Sequence, residues 1–271
     1  MSIDVNAYGS FETIDCEADG AWLTVWFNQP EKRNPLSDQM VAELKTLCEK
    51  LSADPHCRGL TLRGRGGFFC AGGDLAGFKR MASAPRDEVI ALSTNAASLF
   101  AAVRALPQVT IALIEGAAMA GGLGLACCCD VAMGLNSARF AFSETQIGIT
   151  PAQIARYVLL KTGFATGRRL MVTAARFDGA GALGYGLLDV AADALEELEH
   201  HERGVRADTF RCAPGAIAAT KRLLDTLPEL PASDIAAYAA ANFTDCFMSD
   251  EGREGIASFM EKRKPVWFQE I

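Results

Sequence analysis

The stretch IEGAAMAGGLGLACCCD, from Ile114 to Asp130, decides the fold of this 271-residue chain. It joins a β-type run, VTIALIEG, to what reads as the start of a helix containing Gly121, Gly122 and Gly124. Glycine in a helix interior costs roughly 0.5–1 kcal/mol relative to alanine, so three within one turn need a reason. Glycines between a strand and a helix expose backbone N–H groups at the positive end of the helix dipole, and such a place attracts negative charge.

A second glycine-rich turn, GRGGFFCAGGDL, follows the short strand-like run RGLTLRG. Close packing of a helix on a sheet would explain one isolated glycine pair, but two such turns in one chain favour a site for a negatively charged group. Nucleotide binding is the weaker interpretation, because the first turn lacks the GK[ST] of a P-loop and AGGLGLAC does not fit GxGxxG.

The rest of the chain alternates strands and helices. We expect a β-hairpin around EADG, a helix capped by Ser37, a helix from about Asp87 to Ala105, short strands at DVAMG and ARFAF, and mainly helices after Pro151. Strands that feed helices in this way predict an α/β fold with right-handed crossovers. No linker separates two domains, although the composition becomes charged and helix-forming around residues 191–206.

Composition limits the possible partners. The formal net charge is -7, which argues against a nucleic-acid partner or an anionic membrane surface. The nine cysteines form no CxxC pair and three are consecutive, so we expect free thiols in a reducing cytoplasm and no metal site. The longest uncharged apolar segment, residues 116–129, is too short and glycine-rich to cross a membrane. These features predict a soluble cytoplasmic protein.

Three segments carry a resemblance to a known family. FFCAGGDL, IEGAAMAGGLGLACCCD and FAFSETQIGITP resemble, in order and spacing, the signature segments of the crotonase (enoyl-CoA hydratase/isomerase) superfamily. The end of the chain, EGREGIASFMEKRKPVWF, resembles the C-terminal helix that contacts coenzyme A in that family. The resemblance implies an α/β spiral of repeated ββα units over residues 1–195. A helical C-terminal region, residues 196–271, would follow and form a homo-trimer or a dimer of trimers.

The resemblance also implies a site. Family members stabilise an enolate of an acyl-CoA thioester, and the two N–H donors of the oxyanion hole fall on Gly73 and Gly121. One of the two usual acid–base glutamates falls on Glu144, whereas the other falls on Gly124, which has no side chain. This departure brings the standard two-glutamate hydration mechanism into question. No cofactor is implied beyond the coenzyme A of the substrate, which Ala71, Phe259 and Lys262 are expected to contact.

Three functions remain open. We favour an enoyl-CoA hydratase with a single catalytic glutamate, since the segments most resemble the methylglutaconyl and isoprenoid-type hydratases. A double-bond isomerase needs only one base and is the alternative. A CoA-binding protein that has lost its chemistry is the third possibility, and the missing glutamate is the feature that favours it.

Other candidate residues have simpler roles. We expect His56, His200 and His201 to be solvated, and Cys70 and the cysteines 127–129 to fill the core. Arg156 would face either a distal acid on the acyl group or another subunit.

Overall fold

The computed structural model describes residues 3–270, apart from the side chain of Leu75. Nine strands are formed by these residues: β1 Ile14–Asp19, β2 Trp22–Phe27, β3 Gly59–Gly64, β4 Val109–Ile114, β5 Ala117–Met119, β6 Val131–Leu135, β7 Arg139–Ala141, β8 Arg176–Phe177 and β9 Val190–Ala192. The α-helices are α1 Asp38–Ser52, α2 Leu75–Met81, α3 Arg86–Arg104, α4 Gly121–Cys128, α5 Ala155–Thr173, α6 Gly179–Gly184, α7 Leu195–Arg211, α8 Pro214–Thr226, α9 Ala232–Met248 and α10 Asp250–Met260. Short 3-10 turns connect several of them, and one begins at Glu144.

The larger sheet has six strands in the order β1-β2-β3-β4-β6-β9. The predicted hairpin is present: β1 and β2 are antiparallel, and Gly20 has a φ of 62° in the turn between them. The other neighbours are parallel, which agrees with the strand–helix alternation of the sequence. All six residues of β3 are buried, as is typical of a parallel strand covered on both faces.

Helices cover both faces of this sheet. On one face, α1, α3 and α4 bury the main core, to which cysteines 127–129 belong. On the other, α7 packs on β4, β6 and β9, and its Leu198 and Phe210 lie in a cluster with Trp22 and Ile111. The division of the chain at residue 195 stays a prediction, and α7, which begins there, packs on strands built from residues before it.

The smaller sheet has three strands in the order β5-β7-β8. It carries the glycine turns and the FAFSETQIG segment, so it positions the candidate site. The mixed α/β architecture with C-terminal helices is the predicted one. Among the described residues, no helix is both long enough and apolar enough to span a bilayer.

Candidate active site

Three chain segments run side by side and leave the smaller sheet at the same end. Strands β5 and β7 are parallel with Ala118 opposite Phe140, and Cys70 forms an isolated parallel bridge with Ala118 on the other side. The amide of Cys70 donates to the Ala117 carbonyl at 3.1 Å, and the Met119 amide donates to the Cys70 carbonyl at 2.9 Å. This register sets Gly73, Gly121 and Ser143, which directly precedes Glu144, each three positions beyond a paired residue, so parallel pairing brings these three segments to the same end of the sheet.

The chain turns sharply at Ala120, immediately before α4. Ala120 has a φ of 49° and a ψ of -125°, a conformation that costs a residue with a Cβ of the order of 1–3 kcal/mol. Its amide donates to the Ala141 carbonyl at 2.8 Å, and its carbonyl accepts from the Gly124 amide at 3.0 Å. The turn makes Gly121 the first residue of α4, so its N–H lies among those that have no partner within the helix.

The Gly73 turn lies against the Ala120 turn. A Cβ built on Gly72, whose φ is 95°, would lie 3.0 Å from the Ala120 Cβ and 3.0 Å from the Met119 carbonyl oxygen. Only glycine permits this approach. Neither the amide of Gly73 nor that of Gly121 donates a hydrogen bond to another atom of residues 3–270, and both residues are partly exposed. Two neighbouring, unpaired amides can receive an oxyanion.

Apolar side chains surround these two amides. Leu36 Cδ1 and Phe100 Cζ lie 3.2 and 3.7 Å from the point that a Cβ on Gly121 would occupy. Phe78 Cζ lies 2.6 Å from the corresponding point on Gly73. Leu36 and Phe100 could not be predicted as site residues, because isolated apolar residues give no signal that distinguishes a site wall from a core position.

Glu144 is a buried carboxylate with one unpartnered oxygen. It follows β7 at the start of a 3-10 turn, is 8% exposed, and its Oε2 accepts no hydrogen bond from the described residues. Desolvation by burial raises the pKa of the carboxyl, and the residue's own backbone N–H lowers it only in part. The turn is fixed from the side of α5, since Thr145 Oγ1 donates to the Met171 carbonyl at 3.3 Å. Such a carboxylate is suited to taking a proton.

Glu43 shows that a buried glutamate of this chain need not have an unpartnered oxygen. It is 7% exposed, and its carboxylate accepts hydrogen bonds from the amides of Glu12 and Thr13, the Thr13 hydroxyl and the Gln39 side chain, at 2.6–2.9 Å. Burial alone would raise the pKa of Glu43, but the hydrogen bonds from Thr13, Glu12 and Gln39 lower it below its usual value. Glu43 is therefore structural, whereas Glu144 keeps an unused acceptor.

The place beside Gly124 is already filled. A Cβ on Gly124 would lie 2.2 Å from Ile154 Cγ2 and 2.6 Å from Ile154 Cβ. Ile154 is buried and occupies the N-cap position of α5. No side chain at position 124 fits while isoleucine stands at position 154, so within the described residues Glu144 has no carboxylate facing it from this helix position.

Comparisons with known proteins identify the family of this chain. Residues 17–270 match the model of a family described as enoyl-CoA hydratase/isomerase. The chain belongs to the enoyl-CoA hydratase/isomerase family. A putative enoyl-CoA hydratase from Thermus thermophilus is 32% identical over 91% of this chain and 97% of its own length.

Solved crotonase-type structures superimpose on nearly the whole chain. Pseudomonas aeruginosa AtuE is 40% identical with a TM-score of 0.92, covering 95% of this chain and 100% of that one. An enoyl-CoA hydratase/isomerase from Marinobacter aquaeolei is 36% identical with a TM-score of 0.89, covering 94% and 98%. The predicted crotonase fold is confirmed.

The residues expected to hold coenzyme A lie in two places. The Ala71 amide, beside the Gly73 turn, donates to the Arg33 carbonyl at 3.0 Å. Phe259 is 85% exposed near the end of α10. Its FxxK spacing predicts a shared helical face with Lys262, but α10 ends at Met260 and Lys262 has a φ of 55°, so the two do not share a continuous helix. Their contact with coenzyme A stays a prediction.

The remaining candidates of this crotonase-family chain have ordinary environments. His56, His200 and His201 are exposed. Burial raises the pKa of the Cys70 thiol to about 12, so it is not a thiolate nucleophile near neutrality. Arg156 forms an exposed ion pair with Glu229, which ties the start of α5 to the turn after α8. In the part of the chain that is described, no three His, Cys, Asp or Glu side chains gather as a metal site would require.

Proposed function

We propose that the protein is an enoyl-CoA hydratase that adds water to an α,β-unsaturated acyl-CoA thioester. The observation that carries this proposal is that the buried Glu144 carboxylate, with its unpartnered Oε2, and two unpaired amides follow neighbouring segments at the same end of the smaller sheet. The amides of Gly73 and Gly121 receive the thioester oxygen as it gains charge in the enolate, and each such donor is worth about 10²–10³ in rate. The relatives named as hydratases support the same reaction class.

Glu144 serves as the single acid–base group. Its ionised form takes a proton from water, which adds to the β carbon as hydroxide. The electrons of the double bond move onto the thioester oxygen to give the enolate. The protonated carboxyl then returns a proton to the α carbon, so that one water supplies both groups and Glu144 is regenerated.

A double-bond isomerase is the second candidate, and the filled space beside Gly124 favours it. Isomerisation needs one base that removes a proton from the α carbon and returns it at the γ carbon, with no water in the reaction. Glu144 and the two amides suffice for that route. The apolar side chain of Ile154 stands where a second acid–base group would otherwise assist hydration.

Supplying 2-enoyl and 3-enoyl CoA thioesters in ¹⁸O-labelled water distinguishes these functions by mass spectrometry. We expect labelled 3-hydroxyacyl product from the 2-enoyl substrate. Double-bond migration without label would favour the isomerase. Binding of coenzyme A without turnover of straight, branched or carboxylated thioesters would favour the inactive binding protein and contradict the proposal.

We also propose that the chain assembles as a trimer or a dimer of trimers through its C-terminal helices. These helices leave large apolar side chains exposed, among them Phe243, Phe247 and Met248 on α9. Contiguous exposed apolar surface of this kind marks a protein–protein contact. Light scattering coupled to gel filtration tests this, and a monomer at micromolar concentration would contradict it.

A further inference from the structure

We propose that Ile154 is a specificity-determining residue that sets the partition between hydration and double-bond migration, an inference that rests on the proposed function. It does so by filling the space beside Gly124, so that, of the residues that the structure describes, Glu144 is left to activate water. The proposal concerns a side chain outside the glycine turns and the FAFSETQIG strand end. It assigns a role to a residue that reads in the sequence as an ordinary buried isoleucine.

The position of Gly124 on its helix places this space at the site. Residues three apart on a helix lie on one face, so Gly124 lies one turn below Gly121, the first residue of α4. The Gly124 amide donates to the Ala120 carbonyl at 3.0 Å, within the turn that makes the Gly121 amide available. A side chain on Gly124 would therefore emerge directly beneath the proposed oxyanion hole.

Ile154 occupies that space with three of its atoms. Cγ2, Cβ and Cδ1 lie 2.2, 2.6 and 3.0 Å from the point where a Cβ on Gly124 would be. Because the Ile154 Cβ itself is too close, Ile154→Ala does not make room for a side chain at position 124, whereas Ile154→Gly does. Ile154 is also the N-cap of α5, a position where glycine is well tolerated.

The side chain has a chemical consequence as well as a steric one. A hydrocarbon side chain offers no hydrogen bond to a water molecule, and the atoms of Ile154 occupy the volume beside Gly124 in which one would lie. Water can therefore be held for attack only from the side of Glu144. Proton transfer between two carbons of the substrate does not need that second water position, so the wall leaves migration unaffected while it limits hydration.

The kinetic test compares the wild type with Ile154→Ala and with the exchange Gly124→Glu/Ile154→Gly. The readout is kcat/KM for hydration of a 2-enoyl thioester divided by kcat/KM for migration in a 3-enoyl thioester. We expect the ratio to rise in Ile154→Ala, which removes the side-chain atoms beyond Cβ and leaves room for a water molecule that the unpartnered Glu144 Oε2 can hold. In the exchange variant it should rise at least about tenfold, since a placed acid–base group contributes about 10²–10⁴ in rate. Ile111→Ala, which truncates a buried isoleucine of the other core cluster, is the control and should leave the ratio unchanged.

A stability measurement tests the steric part without turnover. Gly124→Ala in the wild type should lower Tm by about 2–12 °C through overpacking, and the same substitution in Ile154→Gly should lower it much less. Equal losses in both backgrounds would show that Ile154 does not fill the space and would overturn the inference, even if the exchange variant failed to fold. An unchanged ratio in folded Ile154→Ala would overturn its kinetic part. Absence of turnover in the wild type would instead refute the proposed function.

Discussion

Replacing Glu144 by glutamine should lower the rate and raise the stability of the protein at once. Glutamine keeps the shape of the side chain but cannot accept a proton, so we expect turnover of a CoA thioester to fall by about 10²–10⁴ while coenzyme A still binds. A glutamate with a purely structural role would instead lose stability and keep its rate when it is replaced by glutamine. The combination is therefore specific to a carboxylate held for catalysis.

The expected gain in stability follows from the missing hydrogen bonds of Glu144. Leaving a buried polar group without a partner costs about 1–3 kcal/mol, and more when the group is charged. Glutamine removes the charge but leaves a neutral unpartnered amide, so we expect a net gain of about 1 kcal/mol, or about 2–4 °C in Tm. Because burial raises the pKa of Glu144, the neutral carboxyl is favoured in the folded state. Its stabilising contribution is fully present below the unfolded-state pKa and is lost as pH rises through the folded-state pKa. The Tm advantage of Glu144→Gln should therefore grow from acidic to neutral pH.

Glu43→Gln is the matched control, since both glutamates are buried to the same degree. The Glu43 carboxylate accepts four hydrogen bonds, two on each oxygen, and the amide nitrogen of glutamine would face one backbone N–H, of Glu12 or of Thr13, that cannot become an acceptor. At about 1.5–3 kcal/mol for each bond to a charged group, Tm should fall by about 3–12 °C while kcat is retained. Thermal scans and steady-state rates on both variants measure the contrast. A Glu144→Gln protein that loses Tm like Glu43→Gln, or that keeps the wild-type rate, would refute the catalytic assignment.

Other substitutions test the rest of the site. Gly121→Pro removes the proposed oxyanion donor at the first helical position, where proline is accepted, and should lower turnover about 10²–10³-fold. Gly121→Ala keeps the N–H and should lose much less activity. Equal losses of activity in the two variants, both shown to be folded by circular dichroism, would exclude the donor role. Replacing both Phe259 and Lys262 by alanine should weaken coenzyme A binding about tenfold, as measured by calorimetry. The Tm without ligand should not change, because Phe259 is largely exposed. Unchanged affinity would show that these two residues do not bind coenzyme A. Ala120→Gly relieves a positive φ and should raise Tm by about 2–4 °C; a lower Tm would show that the turn is not strained.

Most strands and helices could be predicted from the sequence because the turn, capping and periodicity patterns that indicate them are local. The EADG turn between two alternating runs predicted the hairpin, and Ser37 caps α1 as expected, accepting a hydrogen bond from the Met40 amide at 3.2 Å. The predicted helix from about Asp87 to Ala105 is α3, Arg86–Arg104. The short helix α2 was not predicted separately, since seven residues with a glycine among them are too few to show a clear helical period.

The parts of the site that escaped prediction depend on contacts between distant segments. Nothing near Glu144 in the sequence shows that its Oε2 lacks a donor, because donors can come from residues distant in the sequence, as Glu12 and Thr13 do for Glu43. Ile154 fills the space beside Gly124 although the two residues lie thirty positions apart in the sequence. The absence of a side chain at position 124 was visible in the sequence, but the reason for it required the packing of α5 on α4.

The pH dependence of kcat/KM for hydration of a 2-enoyl CoA thioester tests most directly whether Glu144 is the single acid–base group. Its ionised form is the base in the free enzyme, so the rate should fall at low pH along one limb that corresponds to a single ionisation. Because burial raises the pKa of this carboxyl, the midpoint should lie above the ordinary glutamate value of about 4.3, and the limb should be missing from the residual activity of Glu144→Gln. A limb of two ionisations, or one that persists unchanged in Glu144→Gln, would contradict a mechanism with one carboxylate.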